Sequence, residues 1–211
     1  MLICFAMKEE AAAFRRIAAG KPDVSILVTG IGRKNTEKAM RHFLAGGASV
    51  PPGLVLTCGF AGGLDPALRT GDVIFESRKQ NTGYESKLLS AGAKPVKIFC
   101  ADRIATTVAE KKKLRADTGA DAVEMESAVV HQICDEHTLP CVTVRVISDT
   151  ADEDLPLDFN QLAKADQSLD FVKLFLAIAK SPGKIPKLMD LQKKTNFAAK
   201  RLAEVLEKLT G

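Results

Sequence analysis

The apolar run at residues 141–147 constrains the fold of this chain more than any other feature. Val, Ile and other apolar residues make up most of the run, which predicts a β-strand buried on both faces. Such strands are typical of α/β proteins, in which ligands lie at the carboxyl ends of the strands. Asp149 follows Ser148 at the end of this run. Its carboxyl group is therefore predicted to lie at the ligand site.

A second acidic segment, Val123-Glu124-Met125-Glu126-Ser127, stands at the end of a shorter predicted strand and the start of a helix. We expect Glu124 and Glu126 to reach the same cleft as Asp149. Three carboxyl groups in one cleft indicate acid–base chemistry or the recognition of sugar hydroxyl groups. Taken singly, Glu126 is equally a first-turn acid of a helix, and Glu124 a surface charge at a strand end.

Strand and helix patterns alternate along the chain, which favours a layered α/β domain. Strands are predicted at residues 2–6, 24–29, 54–58, 72–76, 96–100 and 141–147. Helices are predicted at residues 9–20, 35–45, 107–114, 127–136 and 158–180. The stretch at residues 77–89 is polar and has no clear period, so it is predicted to be irregular.

Two glycine-rich segments follow predicted strands and are expected to flank one crevice. In Gly30-Ile31-Gly32 the glycines let the backbone approach a ligand, and the helix N-terminus that follows favours an anion. The third glycine of a dinucleotide-binding motif is missing, so a plain tight turn is an equal alternative. The second segment, Gly59-Phe60-Ala61-Gly62-Gly63, is predicted to be a turn that contacts a small ligand. Its alternative is a turn in which glycine only permits positive φ.

Glu10 follows the first predicted strand in the segment Ala6-Met7-Lys8-Glu9-Glu10. Its carboxyl group is a candidate base in the crevice. The simpler interpretation is the ordinary enrichment of acidic residues in the first turn of a helix.

Composition argues against several classes of protein. The chain has no Trp and one Tyr, so it lacks the aromatic surface on which proteins stack nucleic-acid bases. Its five cysteines show no CxxC or metal-binding spacing, which indicates a reducing compartment, no structural disulfide and no metal. No apolar stretch approaches the roughly 20 residues that span a bilayer, and residues 2–6 are too short for a signal peptide core. A cytoplasmic location is expected.

Basic charge is concentrated at the end of the chain. Residues 180–211 contain eight Lys and Arg but three Asp and Glu, which leaves the rest of the chain near neutral. Residues 1–180 are predicted to form one domain, and residues 181–211 a basic amphipathic helical extension. Its apolar stripe consists of Ile185, Leu188, Leu191, Leu202, Val205, Leu206 and Leu209. We favour packing on its own body or on a second subunit over weak binding to an anionic membrane surface.

Several motifs, in the same order, resemble those of the purine nucleoside phosphorylase/uridine phosphorylase superfamily. They are Ala6-Met7-x-Glu9-Glu10, Gly30-Ile31-Gly32, Gly59-x-Ala61-Gly62-Gly63-Leu64, Gly71-Asp72-Val73, Val123-Glu124-Met125-Glu126 and Arg145-x-Ile147-Ser148-Asp149-x-Ala151-Asp152. Within this superfamily the chain resembles the methylthioadenosine/S-adenosylhomocysteine nucleosidases. The resemblance implies a three-layer αβα sandwich around a mixed sheet, cleavage of a ribosyl N-glycosidic bond, a homodimer and no cofactor.

The resemblance also implies roles around the purine base. Asp149 resembles the general acid that protonates the purine at N7, and Ser148 resembles the residue that orients that acid. For this role Asp149 must hold its proton at neutral pH, which burial and nearby carboxylates would favour. Ile104 lies where the family closes a loop over the base, and Phe60, Ala61 and Gly62 lie in the segment expected to contact the substrate.

Other roles concern the sugar and the nucleophile. Glu126 resembles the acceptor for the ribose hydroxyl groups, and Met125 resembles the apolar floor under the ribose. Glu124 lies in the same motif without a defined role. Glu10 resembles the carboxylate that positions and activates a hydrolytic water.

The chain departs from the family pattern where the phosphorylases hold phosphate. They carry an Arg before the second glycine-rich segment and a Ser within it, and these positions are Thr57 and Phe60 here. The change favours water as the nucleophile. Arg33, next to Gly32, keeps phosphorolysis with phosphate as co-substrate as the alternative. The segment at residues 77–96 is shorter than in the nucleosidases, which predicts an open site that accepts a larger 5′ substituent.

Two other functions are alternatives. The open site and basic tail resemble those of the phosphorylase-like proteins associated with hopanoid synthesis, whose substrate is an adenosyl group on a lipid. A nucleoside-binding protein without activity is the second alternative. Glu10, Glu126 and Asp149 together argue against it, since binding alone requires no water-activating acid. The expected partner is a small nucleoside and not a nucleic acid.

Overall fold

The computed structural model describes residues 1–46, 51–77, 83–162 and 182–211. The strands are β1 (Leu2–Phe5), β2 (Ser25–Val28), β3 (Val55–Gly63), β4 (Val73–Glu76), β5 (Lys94–Pro95), β6 (Ile98–Cys100), β7 (Ala122–Glu124) and β8 (Cys141–Asp149). The helices are α1 (Lys8–Ala18), α2 (Arg33–Ala45), α3 (Glu85–Ala91), α4 (Val108–Thr118), α5 (Ser127–Glu136), α6 (Phe159–Leu162) and α7 (Ile185–Thr210).

The eight described strands form one mixed sheet. Its main order is β2-β1-β3-β8-β4-β5, while β7 pairs with the far end of β3 and β6 pairs with β7. Strands β2, β1, β3 and β8 run parallel, whereas β4 is antiparallel to β8 and β7 to β3. Because the parallel strands end at one edge of the sheet, the segments that carry Glu10, Gly32, Gly59 and Asp149 meet there.

Helices cover both faces of this sheet, because successive side chains of a strand point to opposite faces. In β1, Phe5 belongs to the hydrophobic cluster formed with α1 and α7. Cys4, its neighbour, belongs to the cluster formed with α2 and α5. The predicted three-layer αβα sandwich with a mixed central sheet and a C-terminal helix is confirmed.

Strand β3 is longer than predicted, because the glycine-rich segment at residues 59–63 continues the strand. This part pairs in parallel with β8 as far as Gly62 and is antiparallel to β7 at Gly62 and Gly63. The prediction of a turn here was wrong. Strand β8 lies along one side of this part, while on the other side β7 pairs only with Gly62 and Gly63 and the N–H of Phe60 donates to Glu10. Glycine leaves room for the side chains that approach it. Strand β8 is also longer, since it ends at Asp149.

The segment predicted to be irregular contains α3, so that prediction was wrong for its second half. Leu88 and Ala91 are buried, and Gly92 ends the helix with φ of +95°. Because the helix is short and mostly polar, its sequence shows no clear helical repeat of apolar residues. The helix predicted at residues 107–114 is α4, which starts after a capping box formed by Thr107 and Glu110 and runs on to Thr118. Residues 47–50 and 78–82 lie outside the described residues, as do residues 163–181, which include most of the helix predicted at 158–180.

Helix α7 has two different halves. The first half exposes Ile185, Met189 and Phe197. The second half packs into the same cluster as α1 and β8 through Ala198, Leu202, Ala203, Val205, Leu206 and Leu209. This half packs on the body of its own chain, as we favoured from the sequence. Within the described ranges, no helix has both the length and the hydropathy needed to cross a membrane.

Candidate active site

Glu10 lies in the first turn of α1, and its side chain reaches across to β3. Its Oε2 accepts a hydrogen bond from the N–H of Met7 at 2.8 Å, and its Oε1 accepts one from the N–H of Phe60 at 2.8 Å. The residue is 3% exposed. Burial raises the pKa of Glu10, although these N–H donors and the charge of Arg145 oppose the change. Glu10 therefore both caps its helix and joins the crevice.

Glu126 precedes α5 and points at the first glycine-rich turn. Its Oε1 accepts a hydrogen bond from the N–H of Gly32 at 2.9 Å, and its Oε2 is 3.7 Å from Nη2 of Arg145. Burial raises the pKa of Glu126 to about 7; Arg145 opposes this rise, and repulsion from Glu124 and Glu10 adds to it. Glu126 is therefore a carboxyl group that changes charge near neutral pH.

Arg145 of β8 is the charged centre of this cluster, although it is 1% exposed. Its Nη2 forms a hydrogen-bonded ion pair with Oε2 of Glu124 and donates to Oγ1 of Thr57 at 3.2 Å. The carboxylate of Glu124 also accepts hydrogen bonds from the N–H groups of Glu126 and Ser127. Burial opposes ionisation of Glu124, but the charge of Arg145 and hydrogen bonds from the Ser127 hydroxyl and the Glu126 N–H outweigh it and lower the pKa of Glu124. Glu124 is a buried anchor, so the surface-charge interpretation was wrong.

Gly59 provides the space in which Glu10 and Arg145 approach one another. An ideal Cβ on Gly59 would lie 2.6 Å from Oε1 of Glu10 and 2.7 Å from Nη1 of Arg145. Its φ of +150° is also one that residues with a side chain rarely adopt. A narrow recess adjoins this cluster, and Thr57 and Glu126 line part of it. Three carboxyl groups and one guanidinium are thus held together at the carboxyl edge of the sheet.

Asp149 ends β8 and has a different charged neighbour, Lys111 of α4. Oγ of Ser148 donates to Oδ1 of Asp149 at 2.6 Å, and Nζ of Lys111 donates to Oδ2 at 2.6 Å. Carboxylates were expected beside Asp149. Within the described residues, the groups bonded to its side chain are instead a hydroxyl and an ammonium. An ideal Cβ on Gly62 would lie 3.3 Å from Oδ2 of Asp149, so glycine keeps this approach open.

The residues predicted to contact the substrate lie beside these carboxyl groups. Phe60, Gly62 and Met125 are partly exposed, whereas Ala61 is buried. The carbonyl oxygen of Ala61 accepts a hydrogen bond from Oγ of Ser148 at 3.3 Å. The segment expected to act as a turn therefore presents a strand edge to the site.

The loop around Ile104 is fixed by a residue that was not predicted, Asn160 of α6. Its Oδ1 accepts a hydrogen bond from the N–H of Ile104, and its Nδ2 donates to the carbonyl of Ile104, both at 2.9 Å. The predicted anion-binding residues are also engaged. The N–H of Gly32 is bonded to Glu126, and Nη2 of Arg33 is 3.5 Å from Oδ1 of Asp102.

Two charged residues at the site received no role from the sequence. Arg145 carried a signal, because a charged residue inside an apolar strand is informative when the strand is buried. Lys111 carried none, since it stands in the run Lys111-Lys112-Lys113 and no pattern separates the buried lysine from the exposed ones.

Sequence comparison finds similar proteins. A family model described as the phosphorylase superfamily matches residues 93–180. The 5′-methylthioadenosine/S-adenosylhomocysteine nucleosidase of Glaesserella parasuis is 28% identical over 190 residues, which covers 73% of this chain and 80% of that protein.

Solved structures share the fold. The 5′-methylthioadenosine/S-adenosylhomocysteine nucleosidase of Campylobacter jejuni is 18% identical, with a TM-score of 0.68 over 99% of this chain and 96% of that chain. The futalosine hydrolase of Helicobacter pylori is 16% identical, with a TM-score of 0.68 over 99% of this chain and 95% of that chain. At these identities the likeness establishes the fold.

Proposed function

We propose that this chain, which matches the phosphorylase superfamily model over residues 93–180, hydrolyses the N-glycosidic bond of a purine nucleoside, with a 5′-modified adenosine as substrate. The observation that carries the proposal is the gathering of Glu10 and Glu126 about Arg145, with Glu10 and Arg145 both against Gly59. Both carboxyl groups have a raised pKa. Such groups, buried beside a charged partner, are typical of catalytic sites.

The proposed chemistry separates charge between the sugar and the base. When the bond between C1′ and the base breaks, the ribosyl group becomes cation-like and the purine gains electrons. Glu126 accepts the ribose hydroxyl groups, and its negative charge stabilises the cation-like sugar. Asp149 gives a proton to the departing purine, with Ser148 orienting its carboxyl group. Glu10 positions the attacking water and takes a proton from it.

The contacts of the anion-binding candidates favour water over phosphate. The N–H of Gly32 donates to Glu126, Arg33 faces Asp102, and the hydroxyl of Thr57 is bonded to Arg145. A phosphate would have to displace a carboxylate from Gly32. Hydrolysis requires no such displacement and no cofactor, while phosphate is the co-substrate of the alternative.

Two relatives supply the substrates to be tried first. Their names give methylthioadenosine, S-adenosylhomocysteine and futalosine as substrates of those proteins. The segment at residues 77–96 is expected to leave the site open, which favours a nucleoside with a larger 5′ group. We therefore expect the chain to accept bulky 5′ substituents. A strict preference for the small 5′-methylthio group would contradict this.

The deciding experiment measures the free base released from adenosine, inosine, methylthioadenosine, S-adenosylhomocysteine, futalosine and a bulky 5′-deoxyadenosyl compound, with and without phosphate. Release of base without phosphate is expected. Release that requires phosphate would establish phosphorolysis. If none of these nucleosides releases base, the proposed function is wrong.

Assembly and location are part of the same proposal. A homodimer in the cytoplasm is expected, and light scattering of the purified chain tests the dimer. Because half of α7 is buried against its own chain, we expect little binding to anionic vesicles.

A further inference from the structure

Lys111 is a buried cation to which the proposed reaction has so far given no role. Its side chain is 0% exposed. Its Nζ donates to Oδ2 of Asp149 at 2.6 Å and to the carbonyl oxygens of Thr150 and Glu153 at 2.7 and 2.8 Å. An ammonium has three donors, and these three acceptors use all of them. The charge of Lys111 is therefore fixed in place against Asp149.

Two further bonds hold helix α4 and the loop after β8 together. The N–H of Val108, in the first turn of α4, donates to Oδ1 of Asp154 at 2.6 Å. The N–H of Leu155 donates to the carbonyl of Thr106 at 2.8 Å. Both contacts join the N-terminal end of α4 to the loop that follows Asp149, so they limit how far the ammonium can move from the carboxyl group.

One member of the pair, Asp149, is slightly exposed. The side chain of Asp149 is 10% exposed, whereas that of Lys111 is fully covered. A substrate can therefore contact Asp149 directly, whereas Lys111 can affect the substrate only through its interaction with Asp149.

We propose that Lys111 is a positioning residue for the proposed acid, which holds the Asp149 carboxyl group toward the base and stabilises the carboxylate that forms when its proton leaves. This proposal rests on the function proposed above. In that step the bond between C1′ and the purine breaks, and its electron pair goes to the purine. The proton moves from an oxygen of Asp149 to a purine nitrogen. Asp149 then carries the negative charge, and Lys111 compensates it.

The effect of Lys111 on the reaction rate depends on when the negative charge forms on Asp149. When Asp149 holds the proton that its role as the acid requires, the neutral carboxyl group gains little from the ammonium 2.6 Å away. The carboxylate formed during bond cleavage gains a buried ion pair. An interaction that strengthens as the reaction proceeds lowers the barrier of the chemical step. Loss of Lys111 should therefore lower kcat for substrates whose leaving group needs a proton.

The test compares two leaving groups on the same sugar. One substrate is the preferred purine nucleoside, and the other is the 4-nitrophenyl riboside with the same 5′ substituent, whose leaving group departs without protonation. Lys111→Met should lower kcat on the purine substrate by about 10²-fold, the size of a lost electrostatic contact in a buried site. Cleavage of the nitrophenyl substrate should change by less than about threefold, since general-acid effects are absent there. Lys112→Met, at the exposed neighbouring lysine, is the matched control and should resemble the unmodified chain on both substrates.

A double variant separates this role from a purely structural one. If Lys111 acts through Asp149, Lys111→Met combined with Asp149→Asn should be no slower on the purine substrate than Asp149→Asn alone. Lys111→Gln keeps a hydrogen-bond donor and loses the charge, so it provides the same comparison if Lys111→Met does not fold.

Two results would overturn the proposal. One is an equal loss on both substrates by a folded variant, and the other is a double variant whose losses multiply. Failure of the proposed function is a distinct result, because the unmodified chain would then release no purine at all.

Discussion

Nη2 of Arg145 and Oε2 of Glu124 form a hydrogen-bonded ion pair in which neither side chain is more than 1% exposed. Removing one partner of a buried ion pair leaves the other charge without compensation, which costs about 3–5 kcal/mol. Arg145→Met should therefore lower the free energy of unfolding by about that amount, as measured by urea titration. Glu136→Gln is the control, because it breaks the exposed pair between Glu136 and Arg41. A loss no larger than that of the control would contradict the proposed anchoring role.

Glu126 makes stability depend on pH. Its pKa is about 7 in the folded chain, against an ordinary value of 4.5, so between these values the folded state binds the proton that the unfolded state has released. The free energy of unfolding should consequently fall as pH rises from about 4.5 to about 7 and then level off. Glu126→Gln should flatten this decline in urea titrations across the range. Glu9→Gln, at the exposed acid beside Glu10, should keep it. A decline of equal slope in Glu126→Gln would assign the pH dependence to other groups.

Asp149→Asn should remove the proposed proton donor. Loss of a general acid costs about 10²- to 10⁴-fold in rate, so base release should fall by this factor. Calorimetric binding of the substrate should largely survive, because the amide keeps the size of the carboxyl group. The control is Asp152→Asn, which changes an exposed acid in the same loop. Turnover of Asp149→Asn at the rate of the unmodified chain would rule out Asp149 as the acid.

Gly59→Ala should disturb the site without changing any charged residue. The new Cβ would overlap Glu10 and Arg145 and would sit at a φ of +150°. Overpacking of this kind costs about 1–3 kcal/mol, and base release should fall at least about tenfold as the two charged groups move. Gly53→Ala is a suitable comparison, because an ideal Cβ there meets nothing within 4 Å. Normal activity in Gly59→Ala would show that the spacing of Glu10 and Arg145 is unimportant.

Asn160→Ala should loosen the loop around Ile104. It removes two hydrogen bonds of 2.9 Å to the backbone of that residue, each contributing about 1 kcal/mol. Hydrogen exchange at the N–H of Ile104 should become faster, while Gln161→Ala, at an exposed neighbour in α6, should leave it unchanged. Unaltered exchange in Asn160→Ala would mean that other contacts fix the loop.

Much of the site was predictable because strand ends can be read from the sequence. The apolar run before Asp149 and the strand before Glu10 both have the composition of buried strands. Parallel strands bring their carboxyl ends to one edge, so topology placed the segments that carry Glu10 and Asp149 there. Glu126 arrives differently, because it follows β7, which is antiparallel to β3. The same reasoning failed for the segment at residues 59–63. Glycine normally marks a turn, but here it continues a central strand whose neighbours need the space.

The charges that compensate these carboxyl groups were harder to predict. Arg145 stood out inside its apolar strand, although its partner could not be chosen among the nearby acids. Lys111 is buried only because α4 packs against the loop after β8. That packing depends on tertiary contacts between residues about 40 positions apart, which local patterns do not reveal. The role of Asn160 was not predicted for the same reason, since its partner Ile104 is distant in sequence.

The cluster beside Gly59 contains three carboxyl groups but one guanidinium. This imbalance of charge affects which substitutions laboratory evolution would select. Burial and mutual repulsion raise the pKa of Glu10 and Glu126, so ionising both destabilises the folded chain. On the proposed reaction, a cation-like sugar would supply the missing positive charge. Selection for thermal stability alone should therefore enrich Gln at positions 10 and 126, which would give more stable proteins with lower catalytic activity.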